Sequence, residues 1–250
     1  LVGNANTFST IYMIGGGFSA YFLVYKKRII RIFSIIFLSL QMYAMIIAGG
    51  RKFPIVVLFT LWLLLFTKTD KKNRKHYLRY TIIGIIIIGI VYWCLLNVPF
   101  VYENIGYRFE TLFTDVGHQD ASAIERSNMR EYGYKMWLLK PLFGYGYNAY
   151  SIISPYKTYS HNNYIELLFN GGIILFVFYY SIIFVLITKI LKIRAKSNLK
   201  WLFFAMVVAF FAFDYGGVSY NMIYIQIVYS LAYKFICIEA KSGLSEKNQY

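Results

Sequence analysis

Residues 141–172 read PLFGYGYNAYSIISPYKTYSHNNYIELLFNGG, a glycine-containing loop that leads into a long apolar helix. Gly144 and Gly146 allow the loop to turn tightly, and Ser160 is placed to cap the helix that follows. The loop delivers a histidine, His161, to the first turn of that helix. An imidazole at the point where an apolar segment meets a polar loop indicates a functional site, because it can exchange a proton near neutral pH.

Apolar segments dominate the rest of the chain. Of its 250 residues, 58% are hydrophobic and 20% are aromatic. Crossing the ~30 Å hydrocarbon core of a membrane takes about 20 apolar residues, and backbone groups in lipid must be paired within each segment, so such segments are helices. We predict an all-α integral membrane protein with about seven spans. The predicted spans are residues 7–25, 29–49, 53–67, 80–97, 162–188, 201–214 and 218–237.

The whole chain, 1–250, is predicted to form one polytopic membrane domain with a large loop at residues 98–160. The chain begins with Leu1 and opens almost directly into an apolar segment. We therefore expect further helices to precede it in a longer protein. The large loop is expected to be functional, since structureless connections of this length are uncommon in compact proteins.

The positive charge lies on alternate connections between the predicted spans. The net charge is +15, and lysines and arginines cluster at residues 26–31, 68–79 and 189–200 and in the C-terminal tail. This is the positive-inside pattern, so these connections and the C-terminus are predicted to be cytoplasmic and the 98–160 loop extracytoplasmic. Anionic membrane lipids account for the charge, and nucleic acid is not a predicted partner.

Two arginines of the outer loop are candidates for binding an anion. Residues 121–140 have the pattern of an amphipathic helix, which we expect to lie on the outer face with its aromatic side chains at the lipid headgroups. Arg126 and Arg130 are four residues apart and share one face of it, an arrangement that suits a phosphate or pyrophosphate. The alternative is a solvated face that Glu125 and Glu131 partly neutralise.

Other notable residues fall near the outer ends of predicted spans. Arg51 is a candidate cation at the outer interface, and a snorkelling interfacial arginine is the alternative. Asp214 is predicted to be only a turn residue. The pair Gly171-Gly172 lies within a predicted span, where glycine most often serves helix packing.

The histidines do not have the spacing of a metal site. His76, His118 and His161 are scattered along the chain and have no Cys or carboxylate partner at a metal-ligand interval. We therefore predict no metal and no cofactor.

An ordered set of short motifs runs through these candidate residues. The set comprises Gly50-Arg51, Arg126, PLFGYG at residues 141–146, and His161-Asn162 near the head of YIELL. In this order, and with the large loop outside, the chain resembles the O-antigen polymerase and O-antigen ligase superfamily of bacterial envelopes. The resemblance covers nearly all of the chain, as the C-terminal portion of a longer protein.

The resemblance implies a GT-C-like membrane glycosyltransferase fold and a metal-independent transfer of a lipid-linked glycan. The donor would be an oligosaccharide on undecaprenyl pyrophosphate at the outer face of the bacterial cytoplasmic membrane, and the acceptor a second glycan. A flippase and a chain-length regulator are expected protein partners. The expected site comprises His161 as catalytic residue, Arg51, Arg126 and Arg130 for pyrophosphate, and Asn162, Glu166, Gly144 and Gly146 in support.

Several functions stay open at this point. Polymerisation of repeat units into a capsule or O-antigen polysaccharide is the first, and ligase-type transfer to a terminal acceptor is the second. A polysaccharide or lipid transporter is the third, and it is expected to have charged residues or broken helices at mid-membrane. The sequence indicates neither feature. A purely structural membrane protein would leave the histidine and the arginines without a role.

Cysteine labelling in intact cells tests the predicted topology. A cysteine engineered near residue 120 is expected to react with a membrane-impermeant thiol reagent added from outside, and one near Asn73 is expected not to react, because the charge alternation places them on opposite sides. A variant with Cys94 and Cys237 replaced by serine provides the background. The reverse labelling pattern would contradict the outer placement of the loop.

Overall fold

The computed structural model of the chain describes residues 5–47, 52–68, 74–106, 121–195 and 197–247. Every regular element in these ranges is helical, which confirms the predicted all-α class. The chain divides into two compact units, Leu1–Gln119 and Asp120–Tyr250.

The described part of the first unit contains four long helices followed by short turns. The helices are α1 (Ala5–Tyr25), α2 (Arg28–Ile47), α3 (Lys52–Lys68) and α4 (Arg74–Asn97). An α-helical turn at Pro99–Val101 and a π-helical turn at Tyr102–Gly106 follow them. The helix α1 packs against both α2 and α3. Gly16 permits the approach of α3, because a Cβ there would lie 2.6 Å from Cγ2 of Val57.

The second unit is built around one long helix. Its helices are α5 (Ala121–Leu139), α6 (Ala149–Ile153), α7 (Asn163–Lys192), α8 (Leu199–Phe213) and α9 (Ile223–Lys247). A 3-10 turn at Asp214–Gly216 continues α8. The helix α7 packs against each of the other four, so it positions the rest of the unit.

Helices lie over all seven of the predicted apolar segments. Among the described residues, five stretches are long and apolar enough to cross a membrane by length and composition. They are Phe8–Tyr25, Arg28–Met45, Asn163–Lys192, Leu199–Gly216 and Ile223–Ser242. The 3-10 turn after α8 brings the predicted segment 201–214 to spanning length. The helix α3 is shorter, and the membrane crossings of α3 and α4 remain predictions.

The central helix α7 is broken after its first turns. Gly172 has φ of 64° and ψ of −167°, which are not helical angles. The structure thus corrects two expectations. Gly171-Gly172 does not serve packing within a continuous helix, and one of the predicted spans is broken. A Cβ at Gly172 would overlap the carbonyl of Leu142, so glycine is required both for the left-handed φ and for the close approach of this loop.

The loop at residues 141–146, which we call the strap, pairs the backbone groups that the break releases. Gly144 and Gly146 turn the strap with φ of 64° and 110°, as their sequence positions predict. Four hydrogen bonds join the strap to the break: Tyr145 N–H to Phe169 O (2.9 Å), Gly146 N–H to Asn170 O (2.8 Å), Ile173 N–H to Pro141 O (2.8 Å) and Ile174 N–H to Leu142 O (3.4 Å). Irregular backbone in a membrane protein is tolerated where the protein itself supplies such partners.

The break separates a short polar part of α7 from a long apolar part. Residues 173–192 extend about 30 Å at 1.5 Å per residue, which matches the thickness of the hydrocarbon core. The part before the break is therefore not needed for a membrane crossing. It carries three buried polar residues, Asn163, Glu166 and Asn170.

Gly172→Ala is expected to destabilise the protein strongly. A left-handed backbone costs an alanine about 1–2 kcal/mol, and overpacking against the strap adds about 1–3 kcal/mol. Thermal unfolding of the purified protein in detergent measures the loss. Gly89→Ala in α4 is the matched control, because nothing lies within 4 Å of a Cβ at that position. Equal melting temperatures for the two variants would show that the strap does not constrain Gly172.

Candidate functional site

The helix α7 begins immediately after its N-cap residue, Asn162. The Asn162 Oδ1 accepts a hydrogen bond from the N–H of Ile165 at 3.0 Å. Ser160, the predicted cap, instead donates its hydroxyl to the Asn162 carbonyl at 2.8 Å. The prediction of Ser160 was wrong because Ser and Asn are both good caps and the helix starts two residues later than expected. His161 therefore precedes the helix and does not lie in its first turn.

His161 adopts an uncommon backbone conformation between two buried neighbours. Its φ of 55° lies in the left-handed region that residues other than glycine seldom adopt. Ser160 and Asn162 are 0% and 3% exposed, whereas His161 itself is partly exposed. The centroid of its imidazole ring lies 4.3 Å from the centroid of the Tyr159 ring. Such strained positions cluster at functional sites, where the surrounding structure enforces them.

Glu166 is a buried carboxylate that anchors the peptide just before His161. It is 1% exposed, and its Oε2 accepts a hydrogen bond from the N–H of Ser160 at 2.7 Å. Its Oε1 accepts from Nδ2 of Asn170 at 3.4 Å, and that Nδ2 also lies 3.4 Å from the hydroxyl of Tyr220. Burial, and to a smaller extent the charge of Glu166, raises the pKa of Tyr220 to about 12. This phenol therefore stays protonated at neutral pH.

Asp214 joins the end of α8 to the start of α7. Its Oδ2 accepts hydrogen bonds from the hydroxyl of Tyr180 at 2.9 Å and from Nδ2 of Asn163 at 3.2 Å. The Oδ1 of Asn163 accepts the backbone N–H groups of Ser219 and Tyr220, both at 3.0 Å. The prediction that Asp214 is only a turn residue was wrong, because its side chain is 0% exposed. A carboxylate at the end of an apolar helix is the sequence signal that points to such a role.

Arg130 reaches the start of α7 from α5. Its guanidinium lies over the ring of Tyr215, 5.6 Å from the ring centroid. The carbonyl of Tyr215 in turn accepts a hydrogen bond from Nδ2 of Asn162 at 2.9 Å. Tyr215 thereby links Arg130 to Asn162, the residue that directly follows His161.

The helix α5 is docked on α7 through the side that carries Met129 and Gly133. The hydroxyl of Tyr150, in α6, donates to the carbonyl of Met129 at 2.7 Å. Burial raises the pKa of Tyr150 well above its ordinary value, so the hydroxyl remains a donor. A Cβ at Gly133 would overlap Ile165 of α7. The lack of a side chain at Gly133 therefore lets the two helices approach closely.

The helix predicted at residues 121–140 is confirmed as Ala121–Leu139, but its apolar side chains divide between protein and surface. Met129, Tyr132 and Met136 pack against the core of the second unit. Tyr134 and Leu138 are 48% and 53% exposed. The expectation that the aromatic side chains of this helix all lie at headgroups is thus corrected for Tyr132, because α7 offers an apolar surface on that side.

The three predicted pyrophosphate ligands are placed differently. Arg126 and Arg130 are both partly exposed. Arg130 contacts Tyr215 in the turn after α8, whereas Arg126 lies one turn earlier on α5. Arg51 lies outside the described residues. Within the described ranges, neither Arg126 nor Arg130 forms an ion pair. Glu131 pairs instead with Lys135, one helical turn later, at 2.6 Å, and this contact lowers the pKa of Glu131.

The structure therefore gathers four of the predicted site residues around the start of α7. They are His161, Asn162, Glu166 and Arg130. An imidazole can accept a proton near neutral pH, and a guanidinium can bind an anion through paired N–H groups. In the part of the chain that the structure describes, no group of three or more His, Cys, Asp or Glu side chains is arranged to hold a metal ion.

Several membrane-spanning helices and a polar site at the start of one of them describe an integral membrane protein. A family model described as O-antigen ligase matches residues 36–180, more than half of the chain. The chain therefore belongs to the O-antigen ligase family, which confirms the resemblance of its motifs. This family implies a membrane glycosyltransferase-like enzyme of the O-antigen polymerase or ligase type. No curated protein matches the chain.

Asn162 is expected to stabilise the unit in two separable ways. Asn162→Ala removes the N-cap, which costs about 1–2 kcal/mol, and the hydrogen bond to the Tyr215 carbonyl, which costs about 1 kcal/mol more. Asn162→Ser keeps a capping acceptor and loses only the hydrogen bond to the Tyr215 carbonyl, so it should cost less. Thermal unfolding of the purified variants in detergent compares them. Equal losses for Ala and Ser would contradict a capping role for this side chain.

Proposed function

We propose that the protein polymerises glycan repeat units, carried on undecaprenyl pyrophosphate, into a capsule or O-antigen polysaccharide. The observation that carries the proposal is the linkage of His161 and Arg130 through Asn162 and Tyr215 at the start of α7. This linkage offers a proton acceptor and a fixed cation. Glycosyl transfer from a lipid pyrophosphate needs both, one for the acceptor hydroxyl and one for the leaving group.

In the proposed reaction, His161 acts as the general base. The acceptor hydroxyl attacks the anomeric carbon of the donor sugar while its proton passes to the imidazole. The bond between that carbon and the pyrophosphate oxygen breaks, and undecaprenyl pyrophosphate leaves with the electron pair. The imidazolium then returns its proton to solvent. Histidine suits this step because its side chain gains and loses a proton near neutral pH.

The arginines are proposed to bind the pyrophosphate. A guanidinium stays charged at all relevant pH values and offers phosphate oxygens two parallel N–H groups. Arg126 and Arg130 supply two such groups from successive turns of α5, and Arg51 is proposed to supply a third. Because these cations offset the charge that develops on the leaving oxygen, the proposed reaction does not call for a metal ion.

Buried polar residues are proposed to keep the reacting groups in place. Glu166 holds the backbone before His161, and Asn162 holds the backbone after it. Asp214 holds the turn that carries Tyr215. Each of these residues acts through another group, so we regard them as positioning residues. Gly144 and Gly146 contribute through the strap.

The site is proposed to face the outside of the bacterial cytoplasmic membrane, with the C-terminus in the cytoplasm. The distribution of basic clusters supports this orientation, because positively charged connections favour the cytoplasmic side. A flippase would deliver the lipid-linked donor to that face, and a chain-length regulator would limit the product. Membrane lipids surround the apolar helices.

Ligase-type transfer to a terminal acceptor is the second candidate function, because the matching family model is described as O-antigen ligase. It would use the same donor and the same site, so the product must distinguish the two. The test is the polysaccharide profile of a deletion strain. Single repeat units on the final acceptor with no long chains indicate a polymerase, and long chains retained on the lipid carrier indicate a ligase. A wild-type profile would contradict both.

His161→Gln is expected to abolish chain growth at a normal level of protein in the membrane. Glutamine can still donate and accept hydrogen bonds, but it cannot take a proton from the acceptor hydroxyl near pH 7. Polymer length in a complemented deletion strain measures the effect. His76→Gln, in the predicted cytoplasmic cluster at residues 68–79, is the control and should support normal chains. Near-normal long chains in His161→Gln would remove His161 from the chemistry.

A further inference from the structure

Tyr215 is an exposed aromatic residue on a firmly anchored turn. Its side chain is 64% exposed, although the residue before it, Asp214, is 0% exposed. The backbone of Tyr215 is fixed from two directions, by the hydrogen bonds of Asp214 and by the bond from Asn162 to its own carbonyl. An exposed aromatic ring whose backbone is fixed offers a surface that can hold another side chain in place.

The guanidinium of Arg130 occupies one side of that ring. The separation of 5.6 Å between its central carbon and the ring centroid is within the range of a cation–π contact. This contact is with the face of the Tyr215 ring, and it leaves N–H groups of the guanidinium available. An arginine held in this way is restricted in position but still able to bind phosphate oxygens in pairs.

We infer that Tyr215 is a positioning residue that holds Arg130 for the pyrophosphate of the lipid-linked donor. This inference rests on the proposed function, since it gives Arg130 its ligand. Arg126, one turn earlier on the same helix, makes no such contact with Tyr215 in the part of the chain that the structure describes, and it should not depend on Tyr215. The matched family region ends at residue 180, so Tyr215 belongs to a part of the chain that the family match does not cover.

The chain contains a matched pair for comparison at the far end of α7. There Lys189 lies over the ring of Tyr233, 5.5 Å from its centroid, and Tyr233 is 54% exposed. This pair has the same kind of contact and a similar exposure, but it is distant along α7 from the residues around His161. Tyrosines also serve as anchors at membrane interfaces, and a substitution at Tyr233 measures that general effect.

The experiment measures binding of farnesyl pyrophosphate, a short polyprenyl pyrophosphate, to the purified full chain in detergent. Tyr215→Leu should weaken binding about two- to fivefold, the worth of an exposed cation–π contact. Tyr215→Phe should bind like wild type, because the ring is kept. Tyr233→Leu should also bind like wild type. Arg130→Gln should weaken binding, and adding Tyr215→Leu to it should cause no further loss.

Each departure from this pattern overturns a specific statement. Wild-type binding by Tyr215→Leu, with weak binding by Arg130→Gln, contradicts the role of Tyr215 and leaves the proposed function intact. Wild-type binding by Arg130→Gln contradicts the proposed ligand role of Arg130 and the inference with it. Additive losses in the double variant, or equal losses for Phe and Leu at position 215, show that Tyr215 does not act through Arg130. If Tyr215→Leu does not fold, Tyr215→Met replaces it with the same expected result.

Discussion

Backbone groups released by a broken helix at the edge of a membrane must find partners within the protein, and the strap meets that requirement here. Pro141 and Leu142 accept hydrogen bonds from one side of the break, and Tyr145 and Gly146 donate to the other. Because the strap follows α5 directly, its pairing with α7 also determines where α5 can lie. The placement of Arg130 near the start of α7 thus follows from the way the strap pairs the backbone groups at the break.

The short polar part of α7 before the break organises the second unit through buried side chains. Asn162 bonds to the turn after α8, Asn163 bonds to Asp214 and to the backbone leading into α9, and Glu166 bonds to the backbone before the helix. A buried polar group without a partner is costly, so these residues fix the surrounding loops in one arrangement. That arrangement holds His161 in a left-handed conformation that it would seldom adopt alone.

Features governed by local sequence were predictable, and features governed by packing between distant segments were not. Apolar length located the helices, the apolar periodicity located α5, and the strap glycines marked its turns. The break at Gly172 was missed because a Gly-Gly pair in an apolar run fits a packed helix equally well, and only the approach of the strap distinguishes the two. Asp214 and Tyr215 were missed because their partners lie dozens of residues away in sequence. Asn162 and Ser160 have the same capping chemistry, so local pattern alone could not choose between them.

The most direct test of the central claim, that the residues at the start of α7 form a glycosyl-transfer site, is a reconstituted reaction. Purified protein in proteoliposomes is given a polyprenyl-pyrophosphate-linked repeat unit from its host, and products are followed by mass spectrometry. The account predicts glycans of two or more repeats on the lipid carrier, with one polyprenyl pyrophosphate released for each new bond, and neither product with His161→Gln. Equal product from wild type and His161→Gln, or no transfer by the wild-type protein to any lipid-linked or terminal acceptor, would contradict it.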